Sequence, residues 1–167
     1  MTKLRVALVS LALMALGACT TVRNLEAAND VHALLLSIRD NDQVAFDRHV
    51  DRPALKAELQ TKVVAKAVSR DKTGLAAFFA PALADIAGDA LLQPYVFRLV
   101  AEHYGYRADM AIPGPLAIAS VLKPLPDGRV CATRKKAGPC ELTFAKIDGS
   151  WRLIGFEGDA SLLKIRP

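Results

Sequence analysis

The chain has 167 residues, 22 of them basic and 17 acidic, for a net charge of +5. That length accommodates one domain with its own core and excludes a scaffold that must be stapled by several disulfides or metals. The positive excess is small and forms no concentrated stripe, so nucleic acid is not an expected partner.

The first segment reads as an address. Lys3 and Arg5 precede a run from Val6 to Leu16 that is apolar except for Ser10. A membrane span needs roughly 20 apolar residues, so this run is too short to cross and fits the hydrophobic core of a signal peptide instead. At its end, Leu16-Gly17-Ala18-Cys19 resembles the lipobox of bacterial lipoproteins. The residues alone also admit an ordinary secretory signal with a chance cysteine, or an uncleaved buried helix. The coincidence of cations, run length and lipobox favours the lipoprotein. The resemblance implies cleavage before Cys19, a diacylglycerol thioether on its sulfur and often an acyl group on the new amine. Two or more chains anchor stably where one does not. Thr20, in place of aspartate, implies by the sorting rules of such proteins the periplasmic leaflet of the outer membrane.

The expected organisation is therefore a leader over 1–18, a polar tether over 19–29 and a single α+β domain over 30–167. Subtracting the 18 leader residues from 167 leaves 149, and losing Lys3 and Arg5 lowers the charge from +5 to +3.

Helical signals come next. Val31, Leu34, Leu35 and Ile38 share one helical face, with Asn29 or Asp30 as a cap. A short helix is expected over 43–50, capped by Asp42. Asp51 then precedes a long helix with Pro53 in its first turn, where the missing N–H costs nothing. Leu55, Leu59, Val63 and Ala67 recur every fourth residue along it. Leu75, Phe78, Phe79, Ala82, Leu83 and Ile86 predict another apolar helix, ended by Gly88. A further one follows around Pro94 and stops at Gly105. Asp85, Asp89 and Arg98 interrupt these two, which reads as core helices rather than a span. Residues 113–123 admit either helix or strand, with their alanines favouring helix.

From Gly128 the pattern changes to strands. RVCATR, CELTFAKI and SWRLIGFEG are separated by turn residues, and Asp148-Gly149 is a strong hairpin signal. A two-residue loop there sets Ile147 opposite Ser150, Lys146 opposite Trp151, Phe144 opposite Leu153 and Leu142 opposite Gly155. Cys140, Leu142, Phe144, Trp151 and Leu153 then share a face, joined by Cys131. The expected fold is α+β: about five N-terminal helices packed on a C-terminal three-stranded antiparallel meander.

Cys131 and Cys140, nine residues apart in an oxidising compartment, are expected to form a disulfide. Free thiols and metal ligation are the lesser readings, and no C-x-x-C argues for redox catalysis. Arg134-Lys135-Lys136 between them reads as a solvated hairpin tip, with contact to anionic lipid or polysaccharide as the lesser alternative.

The stretch Val50-Asp51-Arg52-Pro53-Ala54-Leu55-Lys56 resembles the opening signature of a family of uncharacterised bacterial envelope proteins, the domain of unknown function 2939. IPGPLAIASVLK and FAKIDGSWRLIGFE extend the likeness over roughly 30–160. The resemblance implies no activity.

Chemistry is sparse. HExxH, the G-x-S-x-G elbow, G-x-G-x-x-G and the P-loop are all absent. His32, His49 and His103 show no metal-ligand spacing, and neither a metal nor a cofactor is expected. A hydrolase would require His49 or His103 to meet Glu102 and a serine in space. Phe78, Phe79, Tyr95 and His103 are the candidate lining of an apolar ligand pocket. The favoured reading is a non-catalytic envelope interaction protein, held to the membrane through lipid on Cys19, with an unknown envelope protein as partner. The alternative is a carrier of a small apolar molecule or lipid, with a cavity between helices and sheet.

Overall fold

The structure, a computed structural model, describes residues 22–70, 88–133 and 138–156, apart from the side chains of 63, 64 and 66–70. Among the described residues, six helical segments precede or flank a four-stranded sheet: α1 (residues 22–40), α2 (Gln43–Arg48), α3 (Arg52–Arg70), α4 (residues 88–91), α5 (Pro94–His103) and α6 (Pro115–Ala119). The strands are β1 (Leu122–Pro124), β2 (Val130–Ala132), β3 (Leu142–Ile147) and β4 (Ser150–Phe156). They form one antiparallel meander in sequence order. The leader, Cys19, most of the expected helix around Phe78 and Phe79, and the Lys135-Lys136 tip lie outside the described residues. No helix among those described is long and apolar enough to cross a membrane.

Helix α1 starts earlier than its periodicity suggests. Residues 22–29, expected as tether, are helical, and Ala27 and Ala28 are fully buried. Their small side chains allow close approach to the sheet, which a scan for large apolar residues overlooks. Asp30 is therefore a mid-helix residue and not a cap. The caps of α2 and α3 are where their residue types put them. Asp42 Oδ1 accepts from the Ala45 amide at 3.0 Å, and Asp51 Oδ1 from the Ala54 amide at 3.0 Å.

Gly88 does not end a helix: residues 88–91 are helical, and the break falls at Leu92 and Gln93, where Pro94 opens α5. Proline at the start of a helix sacrifices no internal hydrogen bond, so the chain breaks before it rather than at the glycine. Gly105 does stop α5. It has φ +93°, a left-handed conformation only glycine adopts cheaply, and the Tyr106 amide reaches back to the Ala101 carbonyl.

The ambiguous segment is both things in turn. Gly114-Pro115 opens α6, which ends by Ser120, and Leu122–Pro124 is a fourth strand beyond the three expected. Three residues are too few to show alternation. Pro124 is tolerated because β1 is an edge strand, where an amide N–H is dispensable.

The Asp148-Gly149 hairpin has the expected register through Phe144 and Leu153, and Asp148 and Gly149 take φ of +50° and +85°. Beyond it a bulge between Thr143 and Phe144 shifts the pairing, so Leu142 faces Phe156 and Thr143 faces Gly155. Strict alternation would set Gly155 on the packed face; the bulge brings Phe156 there instead. Cys131 also departs from expectation. It pairs with Thr143, while Val130 pairs with Phe144. A one-residue offset sends a side chain to the other face, so Val130 joins the core and Cys131 lies opposite.

Leu122, Val130, Phe144, Trp151 and Leu153 from the sheet meet Val31 and Leu34 of α1, Phe46 of α2, Leu55 and Leu59 of α3, Leu92 and Ile118 in one buried cluster. Phe46 packs edge-on against Phe97 of α5, with centroids 5.1 Å apart. Burial of Phe144 and Trp151 contributes about 2–3 kcal/mol each.

Candidate functional site

The residues expected to carry function are dispersed. Cys19, Phe78 and Phe79 lie outside the described residues. Tyr95 is in the first turn of α5 and His103 in its last, about 12 Å along the axis from each other. Both are exposed, and His103 stacks edge-on with Tyr104 at 5.8 Å. Glu102 faces Arg98 one turn back, at 3.8 Å, and His49 lies instead 3.7 Å from Asp30. Ser37 and Ser120 donate to carbonyls of their own helices, those of Leu34 and Ala117. The constellation a hydrolase would require is not assembled by these contacts. Among the described residues no group of three or more histidine, cysteine or acidic side chains could hold a metal ion.

The densest polar arrangement is along the outer edge of β4. A last strand leaves one row of N–H and C=O groups unpaired and open to another chain. Here three elements occupy that row. Asp30 of α1 accepts from the Trp151 amide at 2.7 Å. The turn between α2 and α3 adds a parallel bridge at Val50: the Leu153 amide donates to the His49 carbonyl at 2.8 Å, and the Asp51 amide donates to the Leu153 carbonyl at 2.9 Å. Glu58 of α3 accepts from the Phe156 amide at 3.0 Å, while Lys62 donates to the Phe156 carbonyl and lies 4.4 Å over its ring. Glu58 and Lys62 pair at 2.7 Å one helical turn apart, so together they act as a short imitation strand.

Each of these side chains is where local structure puts it. Asp51 both donates its amide to the Leu153 carbonyl and caps α3, which starts the helix at the sheet edge. Glu58 is two turns further on and Lys62 three. Gly155 makes room for them: a Cβ there would stand 2.9 Å from Glu58 Oε2. The Val-Asp-x-Pro-x-Leu stretch is therefore a folding device that seals a sheet, and it brings no nucleophile with it.

Two polar atoms in this region are buried without a hydrogen bond among the described residues, His49 Nδ1 and Trp151 Nε1. The carboxylate nearest His49, that of Asp30, has its other oxygen committed to the Trp151 amide. The pair thus ties α1 and the α2–α3 turn to β4.

On the far side of the sheet Cys131 and Cys140 are joined by a disulfide, with Cα atoms 5.6 Å apart. It links β2 to the segment entering β3, beside the bond from the Glu141 amide to the Ala132 carbonyl at 2.9 Å.

A model of the family described as Protein of unknown function (DUF2939) matches residues 7–100. The chain belongs to that family. The matched stretch takes in the apolar run, Cys19, α1 to α3 and most of α5. It begins before the roughly 30–160 expected from sequence motifs and stops short of the sheet, so the FAKIDGSWRLIGFE hairpin lies outside it. No curated protein and no solved structure matched the chain.

Asp30, Glu58 and Lys62 went unrecognised in the sequence because charged residues flanking an apolar helical stripe ordinarily face water. The one local signal was Gly155, a glycine inside a strand, which marks a bulge or a close approach.

Proposed function

We propose that this protein is a membrane-anchored lipoprotein of the bacterial envelope, held in the periplasmic leaflet of the outer membrane by lipid on Cys19, and that it acts as a non-catalytic interaction domain for an envelope partner. The observation that carries the reading is Leu16-Gly17-Ala18-Cys19 at the end of a short apolar run behind Lys3 and Arg5. Asp30, Asp51, Glu58 and Lys62 at the β4 edge are engaged in holding the fold together, and among the described residues most buried apolar side chains pack into one cluster. Both features favour presentation of a rigid surface over catalysis or carriage of an apolar cargo. Tethering would raise the domain's effective concentration near other envelope proteins.

The test is mass spectrometry of the protein recovered from its own envelope. The expected species begins at Cys19 and carries the added mass of diacylglycerol. Cys19→Ser should abolish acyl labelling and release the domain from the membrane fraction. A mature chain that still begins at Met1, or carries a bare thiol at Cys19, would overturn the reading.

A further inference from the structure

If Cys19 is lipidated, the folded domain begins almost at the bilayer. Helix α1 is already running at Val22, three residues beyond Cys19, a reach of about 10 Å even when fully extended. Whatever stands at that end of the molecule is therefore pressed against lipid headgroups.

That end is apolar. Val22 and Leu25, one turn apart on α1, are 59% and 39% exposed. Two contacts run α6 antiparallel beside α1: His32 Nδ1 lies 2.9 Å from the Pro113 carbonyl, and Asn24 Nδ2 donates to the Leu122 carbonyl at 3.2 Å. Val121, 37% exposed, is thereby brought beside the first turns of α1, and Leu116, at 78%, flanks it on α6. The nearest carboxylate on α1, Glu26, is paired with Lys146 at 2.7 Å and so presents no lone negative charge.

We propose that Val22, Leu25 and Val121 form a lipid-contacting rim, on which the domain rests in a fixed orientation against the phospholipid surface. This deepens the anchored-lipoprotein reading and depends on it. Apolar side chains of this kind settle about 5–10 Å into the boundary between headgroups and acyl chains. Lipidation supplies the confinement, and the rim supplies the orientation. The opposite end of the molecule, where Val44 of α2 is 66% exposed, is then turned into the periplasm. Helix α1 separates the two ends by about 28 Å.

The experiment places a photo-reactive phenylalanine analogue at position 22, 25, 121 or 44 of the full chain, one at a time. The processed protein is reconstituted in vesicles of phosphatidylethanolamine and phosphatidylglycerol. The expected result is lipid adducts from 22, 25 and 121, with little or none from 44. Because the three rim positions are independent, one poorly folding variant leaves the others to decide. Equal lipid labelling at all four positions, or no lipid adducts at the rim of protein shown to be acylated, overturns the rim and leaves the anchor intact. Rim adducts to protein in native envelopes, in place of lipid, also overturn it and assign the face to a protein partner. Absence of acylation at Cys19 overturns the anchor, and the rim with it.

Discussion

Asp30 on helix α1 accepts a hydrogen bond from the Trp151 amide of β4 at 2.7 Å, across a sequence separation of 121 residues. One carboxylate oxygen thus closes the sheet edge that the Val50 bridge and Glu58 close further along. The three contacts come from α1, the α2–α3 turn and α3, so the last strand is sealed by segments spread along the chain from residue 30 to residue 58. An exposed edge of this length would otherwise invite pairing with a second chain.

Loss of Asp30 should be felt through the amide it leaves behind. Asp30→Ala strands the half-buried Trp151 N–H and is expected to cost about 1–3 kcal/mol. Asp30→Asn retains an acceptor and should recover much of that. Urea unfolding midpoints of the two variants provide the comparison, and equal losses would mean that the hydrogen bond is not the stabilising feature.

Gly155 and Glu58 should be energetically coupled. A methyl at 155 would stand 2.9 Å from Glu58 Oε2, which also accepts from the Phe156 amide, while Oε1 of the same carboxylate pairs with Lys62. Gly155→Ala is expected to destabilise by about 1–2 kcal/mol by displacing that carboxylate. In a Glu58→Ala background the same change should be almost neutral. A double-mutant cycle reads the difference directly, and strict additivity would disprove the coupling.

Asp51 has two roles that separate cleanly. Its amide donates to the Leu153 carbonyl, and its carboxylate caps α3. Asp51→Ala removes only the second and should cost about 1 kcal/mol, with Asp51→Asn close to the parent. Thermal unfolding measured side by side would show it. A collapse of the fold in Asp51→Ala would reveal a larger role for the carboxylate than capping.

The Cys131–Cys140 disulfide closes a short loop, with a sequence separation of nine. Reduction, or joint replacement by alanine, is expected to lower stability by about 2–3 kcal/mol, chiefly by freeing the unfolded chain. Non-reducing peptide mapping of protein isolated with its thiols blocked should find the two cysteine peptides linked. Two fully alkylatable thiols would contradict the bridge.

Much of this fold is legible locally. Asp42 and Asp51 mark helix starts because a short acidic side chain meets free backbone amides there. Gly105 marks a stop because it alone adopts a left-handed conformation cheaply. Asp148-Gly149 sets the register of the hairpin because both residues accept positive φ. The early start of α1 was illegible because Ala27 and Ala28 carry no strong hydrophobic signal, although small size is what buries them. Strand β1 was illegible because three residues ending in proline show no periodicity. The candidate functional residues divide in the same way: Leu16-Gly17-Ala18-Cys19 resembles a linear motif carried by adjacent residues, whereas Tyr95 and His103 depended on a convergence that only packing could supply, and packing leaves them exposed at the two ends of α5.

The sequence by itself determined where α2 and α3 begin, where α5 stops and where the hairpin turns, because each depends on the stereochemistry of a few adjacent residues. Only the tertiary structure decided that Asp30, Glu58 and Lys62 seal β4, that a bulge brings Phe156 to the packed face, and that Asn24 of α1 reaches the Leu122 carbonyl. Those outcomes depend on distances between segments far apart in the chain, and no local preference encodes them.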